Sequence, residues 1–376
     1  MRNAEELRHN LAQTLLHVRS GRATSRRILA EIMRISPTTA GDYVDQLIGS
    51  GHLLESGLEQ GRIGRPKRNL STVAEAGWFA GIEFNAERVQ AVRLDFSGVP
   101  TRSLSRPLPE DADAASVMKE ISEVIKSLRQ GASGPLLQIG AGAPGIVNPE
   151  AGVGVHYTFI PGWDNIPLKA DLEKLFKVPV IVENNLRVIA LAERWFGGGR
   201  ELDDYVILGP RSGFGIAVVK NGRLMSGAHH ASGEIGRWVW PLMGEGKEMH
   251  DALSSPAVWR RLAGVSNRAR LPVDLHAALE GLAESEGEAW EALIDDYARV
   301  MGLLHLLLDT PAYFLHGPLT ALGERFGREI SQRAVKLMPA LGSMPPSVVI
   351  STLGDDAGAL GAASHAMEGW GPANYL

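Results

Sequence analysis

TSRRILAEIMRISPTTAGDYVDQLIGSGHLLESGLEQGRIGRP, residues 24–66, sets the reading of this chain. It offers a short helix, a tight turn, a second helix, a glycine break at Gly51, a brief apolar strand and a basic glycine-rich loop. That order is a helix-turn-helix followed by a wing. Thr24 is placed to cap the first helix, with Ile28, Leu29 and Ile32 as its inner stripe. Ser36 caps the next, and Pro37 takes the first helical position, where a missing N–H costs nothing. This helix is expected to run to Ser50, turning Ala40, Val44, Leu47 and Ile48 inward and Thr38, Thr39, Asp42, Tyr43 and Gln46 outward. Upstream, a helix capped by Asn3 reaches about Ser20, with Leu7, Leu11, Leu15 and Leu16 at helical spacing, and stops at Gly21.

The outward face suits a major groove. Thr38 and Thr39 can bond phosphates or base edges, Gln46 can pair bidentately with adenine, and Tyr43 can reach the DNA backbone. Leu53 and Leu54 begin the wing, and GRIGRPKR, residues 61–68, forms its tip and return. There Arg62, Arg65, Lys67 and Arg68 suit a minor groove or phosphates. Asp42 weighs the other way, toward a small helical cap whose Thr and Gln merely face water. The basic run at the right distance after Gly51 tips the balance to a DNA reader.

Charge is unevenly distributed. Residues 1–70 hold 11 Lys and Arg against 7 Asp and Glu, a net of +4, while the whole chain carries −5. A basic head on an acidic body fits a protein that sets one end against phosphates. At 376 residues, with 44% hydrophobic and 22% charged residues, the chain is expected to be globular with two or three domains. It has no cysteine, hence no disulfide and no thiolate nucleophile or ligand. The polar N-terminus, MRNAEELRHN, lacks the apolar core of a secretion signal, so a cytoplasmic protein is expected. The most apolar helix, residues 297–315, is broken by Arg299, His305 and Asp309 and reads as a core helix, not a membrane span.

Beyond about Ala74, strands and helices alternate. Strand-like runs fall at 79–83, 90–94, 137–140, 178–182, 205–208 and 216–219, with amphipathic helices at about 113–130, 167–176 and 186–196. Helices dominate from about 250 to 340, and 347–350 returns as a strand. This is an α/β body with a late helical insertion.

IGAGAPGIVN (139–148), PGWDN (161–165), VPVIVENN (178–185), SGFGIAVVKNG (212–222), ASGEIG (231–236) and LGDDAGALGAA (353–363) arrive in one order. Together they resemble the ROK family of repressors and sugar kinases on the actin-like ATPase fold. The resemblance covers nearly the whole chain, and the head is similar to the winged helix of the family's repressor branch. It implies a winged helix at 1–72 and a ROK body at 73–376, with one lobe at about 73–183 plus 350–376 and the other at about 184–349.

Departures from the kinase pattern carry the functional information. Where ROK kinases have an Asp-x-Gly-Gly-Thr phosphate loop, this chain has Glu83-Phe84-Asn85-Ala86-Glu87: both glycines are gone and Glu87 adds negative charge. In the second loop Ser212-Gly213-Phe214-Gly215 matches, but Arg211 precedes it. The Asp that serves the kinases as general base is Asn185, whose amide cannot take a proton. A later glycine pair is His316-Gly317. The family's zinc ligands, one His and three Cys, fall at Arg237, Leu242, Gly244 and Met249, so no metal is expected; His229, His230 and His250 nearby have no tetrahedral spacing.

The sugar-contacting positions are better kept. Asn184 and Glu234 match residues that grip sugar hydroxyls in the family, and Asn185 can still hydrogen-bond. His250-Asp251 stands for the family's Leu-Glu, Arg237 can bond hydroxyls or an anionic group, and Phe159 replaces a common Asn. The resemblance therefore implies a regulator, a repressor, that binds double-stranded operator DNA as a homodimer or higher homo-oligomer. It answers to a carbohydrate held by Asn184, Asn185, Glu234, Arg237 and Asp251, with no catalysis, cofactor or membrane. The alternatives are an active sugar kinase with a winged-helix appendage and a DNA-bound scaffold whose body binds nothing.

Overall fold

A computed structural model describes residues 2–56, 69–239, 247–338 and 344–372. The chain begins with α1 (Arg2–Arg19), α2 (Arg26–Met33), α3 (Pro37–Gly49) and the antiparallel strands β1 (Leu53–Ser56) and β2 (Asn69–Thr72). This is the expected helix-turn-helix with the two arms of a wing. Ser36 caps α3 by accepting the Thr39 N–H, and Pro37 opens the helix. The cap of α2 is Ser25, whose hydroxyl accepts the Ile28 N–H, and not Thr24, whose carbonyl instead accepts the N–H of Leu70 on the wing. Asn3 lies inside α1, which starts two residues earlier than a helix capped by Asn3 would.

Most inward residues follow the helical period, with Leu7, Leu16, Ile28 and Ile48 half-buried and one exposed. Leu11, Leu15, Leu29, Ala40, Val44 and Leu47 are buried, but Ile32 is 38% exposed. Ala30 takes the buried place, because α2 is short and turns its Leu29–Ala30 edge to its neighbours. Arg26 ties the module together, bonding Asp45 on α3 and Glu55 on β1.

Two sheets with the same strand order follow. The first contains β3 (Trp78–Phe84), β4 (Arg88–Asp95), β5 (Pro100–Pro107), then α4 (Ala114–Leu128), β6 (Leu136–Ala143), a small sheet of β7 (Ile146–Asn148), β8 (Val153–His156) and β9 (Asp164–Ile166), α5 (Leu168–Phe176) and β10 (Val180–Asn184). Its order is β5-β4-β3-β6-β10: an antiparallel meander, extended in parallel by β6 and β10. Strand β10 runs directly into α6 (Asn185–Phe196).

The second sheet contains β11 (Tyr205–Pro210), β12 (Phe214–Lys220) and β13 (Arg223–Leu224). It continues after α7 (His250–Leu253), α8 (Ser255–Leu262), α9 (Leu275–Glu280) and α10 (Glu288–Leu308) with β14 (Tyr313–Leu315), α11 (Gly323–Leu337) and β15 (Val348–Ile350). Its order, β13-β12-β11-β14-β15, repeats the first: a meander, then two parallel strands. The last helix is α12 (Ala357–Gly369).

The apolar run 297–315 is therefore two elements. Helix α10 ends where Asp309 adopts a left-handed conformation, Pro311 bars its continuation, and Tyr313–Leu315 pairs as a central strand. The chain divides into two compact units, Met1–Leu191 with Gly358–Leu376, and Ala192–Ala357, so the winged helix and the first sheet share a unit and α12 returns to it. The division, at 191/192 and 357/358, falls beyond 183/184 and 349/350 by about two helical turns. Each unit has its own apolar core, one around Ile82, Ile121, Ile139 and Val182, the other around Leu208, Trp290, Tyr297 and Phe326. No helix among the described residues is long and apolar enough to cross a membrane.

Candidate functional site

On α3, Thr38 is exposed, while Thr39, Tyr43 and Gln46 are half-buried. Thr39 shares a hydrogen bond with the Ser36 hydroxyl at 2.8 Å. The Tyr43 oxygen accepts the Asn10 side-chain N–H from α1 at 3.0 Å, which leaves its own O–H proton free to donate. Arg62, Arg65, Lys67 and Arg68 lie outside the described residues.

In the first unit, β10 delivers Asn184 and Asn185 to the start of α6. Asn184 is nine-tenths buried and works locally: its oxygen accepts the Leu186 N–H at 2.9 Å, capping α6, and its nitrogen donates to the Gly145 carbonyl at 3.0 Å. Beside it, buried Glu183 pairs with Arg187 at 3.1 Å. Asn185 donates to the buried Glu83 carboxylate at 3.4 Å. At the β3–β4 turn the Asn85 side chain accepts the N–H groups of both Glu87 and Arg88, at 2.8 and 2.9 Å. Two backbone amides at this turn, one in the 83–87 run and one just after it, are thus already satisfied from within. Glu87 is exposed at its tip, and Phe159, also exposed, leans on Tyr157.

In the second unit, Glu234 and Arg237 flank a short helical turn, with Arg237 Nε 3.9 Å from Glu234 Oε2 and its side chain 54% exposed. The Asp251 carboxylate accepts the Glu248 N–H at 3.2 Å. Between these residues stands His250, which sequence reasoning treated only as a bystander. Its Nδ1 accepts the Phe214 N–H at 2.7 Å, within the Ser212–Gly215 loop. The imidazole packs where a Cβ on Gly213 or Gly236 would strike it, at 2.9 and 2.3 Å. Burial pushes its pKa below the ordinary value; Glu248 and Asp251 pull upward and Arg237 downward. A neutral ring, protonated on Nε2, is what that acceptor role requires.

A second buried cluster was also missed. Glu193 on α6 accepts the His316 Nε2–H at 2.8 Å, the Ser351 hydroxyl and the Gly198 N–H at 2.8 Å. Burial pushes its carboxyl up, but these bonds outweigh it and hold the group below the usual range. His316 is itself buried.

The zinc of the family's kinases does not fit here. Arg237 is a cation, Met249 is a buried thioether, Leu242 and Gly244 lie outside the described residues, and the chain has no cysteine. Among the described residues no group of three or more His, Cys, Asp or Glu side chains is arranged to hold a metal ion.

Comparison with known proteins agrees with this architecture. A xylose repressor of Caldicellulosiruptor bescii is 26% identical over 215 residues, 56% of this chain and 54% of that protein. The chain thus spans about half the length of the curated repressors it matches. A glucokinase of Thermotoga maritima is 29% identical over 308 residues, 76% of this chain and 95% of the kinase. The crystal structure of a ROK family transcriptional regulator, a homologue of the Escherichia coli MLC protein, superposes with a TM-score of 0.77 at 21% identity, covering 96% of both chains. The ROK family model matches residues 80–368, and on that match the chain belongs to the ROK family.

Proposed function

We propose that the protein is a sequence-specific DNA-binding transcriptional regulator, a repressor, whose ROK body binds a sugar or sugar derivative and transfers no phosphate. The observation that carries this reading is Asn185. It occupies the kinases' base position, cannot accept a proton, and spends its amide on Glu83. Phosphoryl transfer also needs free donors for the phosphates. Here Asn85 takes the Glu87 amide of the first loop and the Arg88 amide beside it, and His250 takes one of the second. A winged helix ahead of such a body supplies the means to act on DNA, and the similarity to a xylose repressor supports a carbohydrate effector. Asn185, Glu234, Arg237 and Asp251 are the residues assigned to it. Asn184 contributes chiefly by holding the start of α6. A dimer or higher oligomer reading a two-fold operator, in the cytoplasm, completes the proposal.

The second reading is an active sugar kinase, favoured by the match along nearly the whole Thermotoga maritima glucokinase. Two measurements on one preparation separate the readings. A coupled kinase assay over a sugar panel with ATP and magnesium should show no turnover. Selection from a random duplex library should enrich a defined two-fold sequence, which a sugar then displaces. Turnover that disappears in Asn185→Ala would establish the kinase. Sequence enrichment with no sugar raising the melting temperature would instead leave a DNA-bound scaffold.

A further inference from the structure

Helix α12 touches two distant parts of the first unit. At its start, a Cβ on Gly358 would lie 2.5 Å from Glu83 Cγ, and Glu83 is the partner of Asn185. Along its length it rests on the sheet without any cushion of side chains. A Cβ on Gly81 of β3 would fall 2.0 Å from the Ala359 carbonyl, and one on Gly140 of β6 1.8 Å from the Ala362 carbonyl. Backbone packed so closely on backbone has no slack to absorb a displacement.

The far end of α12 meets the winged helix. The Met367 carbonyl accepts Arg19 Nη1 from α1 at 3.3 Å, while Arg19 Nε donates to the Phe96 carbonyl at 2.8 Å. The guanidinium lies over the rings of Phe96 and Phe79, 4.1 and 5.3 Å from their centroids. Trp370 stands edge-on to Phe96 and beside His52, which leads into the wing strand β1. A Cβ on Gly371 would strike Arg8 of α1 at 2.9 Å. The cation is held by carbonyls and ring faces in a desolvated place, so a small shift of Met367 or Phe96 would strip it of acceptors.

We infer that α12 is a coupling rod: displacement of Glu83 beside Asn185 is carried along the helix to Arg19 and Trp370 and resets the seating of the winged helix on the first lobe. The links are Asn185 to Glu83, Glu83 to Gly358, the rigid α12, then Met367 and Trp370 to Arg19 and His52. A ligand that engages Asn185 differently in two arrangements thereby biases the DNA-reading helices. Its use in regulation rests on the proposed function. The coupling itself does not, and the test requires neither DNA nor effector.

Hydrogen exchange of the full chain, followed by mass spectrometry, tests it. Gly358→Ala, which presses on Glu83, should speed exchange in α1 and in β1–β2 by about tenfold, a typical coupling. In an Arg19→Met background the same change should add nothing. Val124→Ala, which hollows the first unit's core on the sheet face away from α12, should leave α1 and β1–β2 at wild-type rates. If Gly358→Ala does not fold, the shape-conserving Glu83→Gln replaces it with the same expectation. Unchanged α1 exchange, an equal response to Val124→Ala, or a full response in the Arg19→Met background would each overturn the rod. A protein that shows the coupling yet selects no DNA sequence would keep the rod and lose the repressor.

Discussion

The imidazole of His250 accepts the backbone N–H of Phe214 at 2.7 Å, so that loop amide is satisfied by the protein's own side chain. The bond needs an unprotonated Nδ1. Burial favours that state by setting the folded pKa below the ordinary value. Between the two pKa values the unfolded chain binds more protons than the folded one, so stability rises with pH there. The contribution is complete above the unfolded value of about 6.5 and is lost as pH falls toward the folded pKa.

Urea unfolding should therefore show a midpoint that declines between roughly pH 7 and 5. His250→Leu, which installs the residue the kinases carry, should flatten part of that decline. His17 and His52, also pushed down by burial, account for the remainder, so an unchanged slope in His250→Leu would remove His250 from this role.

Asn185→Asp restores the kinases' carboxylate but sets it against Glu83, now an amide's partner at 3.4 Å. Two carboxylates there raise the pKa of the pair. The variant should lose about 1–3 kcal/mol at neutral pH, the cost of an unsatisfied buried polar contact. The penalty is full above the raised folded pKa and vanishes below the ordinary carboxylate value of about 4. Phosphate transfer should stay absent, because Asn85 and His250 still hold the loop amides. Turnover by this single variant would show that the loops are competent after all.

Glu193→Gln should cost about 1–3 kcal/mol, as for a buried polar group left with mismatched partners. Its new N–H groups would face donors from His316, Ser351 or Gly198. The folded pKa of Glu193 is depressed, so its stabilisation is present above the usual glutamate value of about 4.3 and fades as pH falls through the folded one. Wild type and variant should accordingly converge in acid. A constant gap across the range would mean that the carboxylate charge is immaterial.

At the DNA end, two classes of substitution should part company. Replacing Arg62, Arg65, Lys67 or Arg68 by Ala should weaken operator and scrambled duplex alike and lower the log–log salt slope by about one unit. Thr39→Ala or Gln46→Ala should instead reduce discrimination by about 1–3 kcal/mol. Titrations on both duplexes at several salt concentrations distinguish them. An unchanged operator-to-scrambled ratio in the α3 variants would exclude that helix as the reader.

Local chemistry explains what the sequence revealed. Ser36-Pro37 announces α3 because the cap and its first residue are adjacent, and burial of Ala40, Val44 and Leu47 follows from the period. Strand β5, PTRSLSRP, was missed because it is an edge strand with much of its length exposed. Strand β14 was absorbed into α10 because Tyr313-Phe314-Leu315 extends an apolar run, where periodicity alone does not separate helix from strand. The Asn85 turn is local and was legible in principle, since Asn favours bonds to amides just ahead of it. His250 was not: its partner is a backbone group 36 positions away, and only the tertiary fold brings the two together. Arg19 looked like one more solvated charge at a helix end, and its place between Phe96 and Phe79 depends on a helix some 350 residues later.

The return of α12 to the first unit also bears on how the molecule is made. During synthesis β3 and β6 emerge long before the helix that covers Gly81 and Gly140. The nascent first lobe must wait, with the part of its sheet around Gly81 and Gly140 uncovered, while the second unit is translated, and its closure joins segments far apart in the chain. Such long-range closure is slow and leaves an aggregation-prone surface open in the interval. The winged helix, seated on the same late-arriving residues, gains its docking surface only once α12 has been translated.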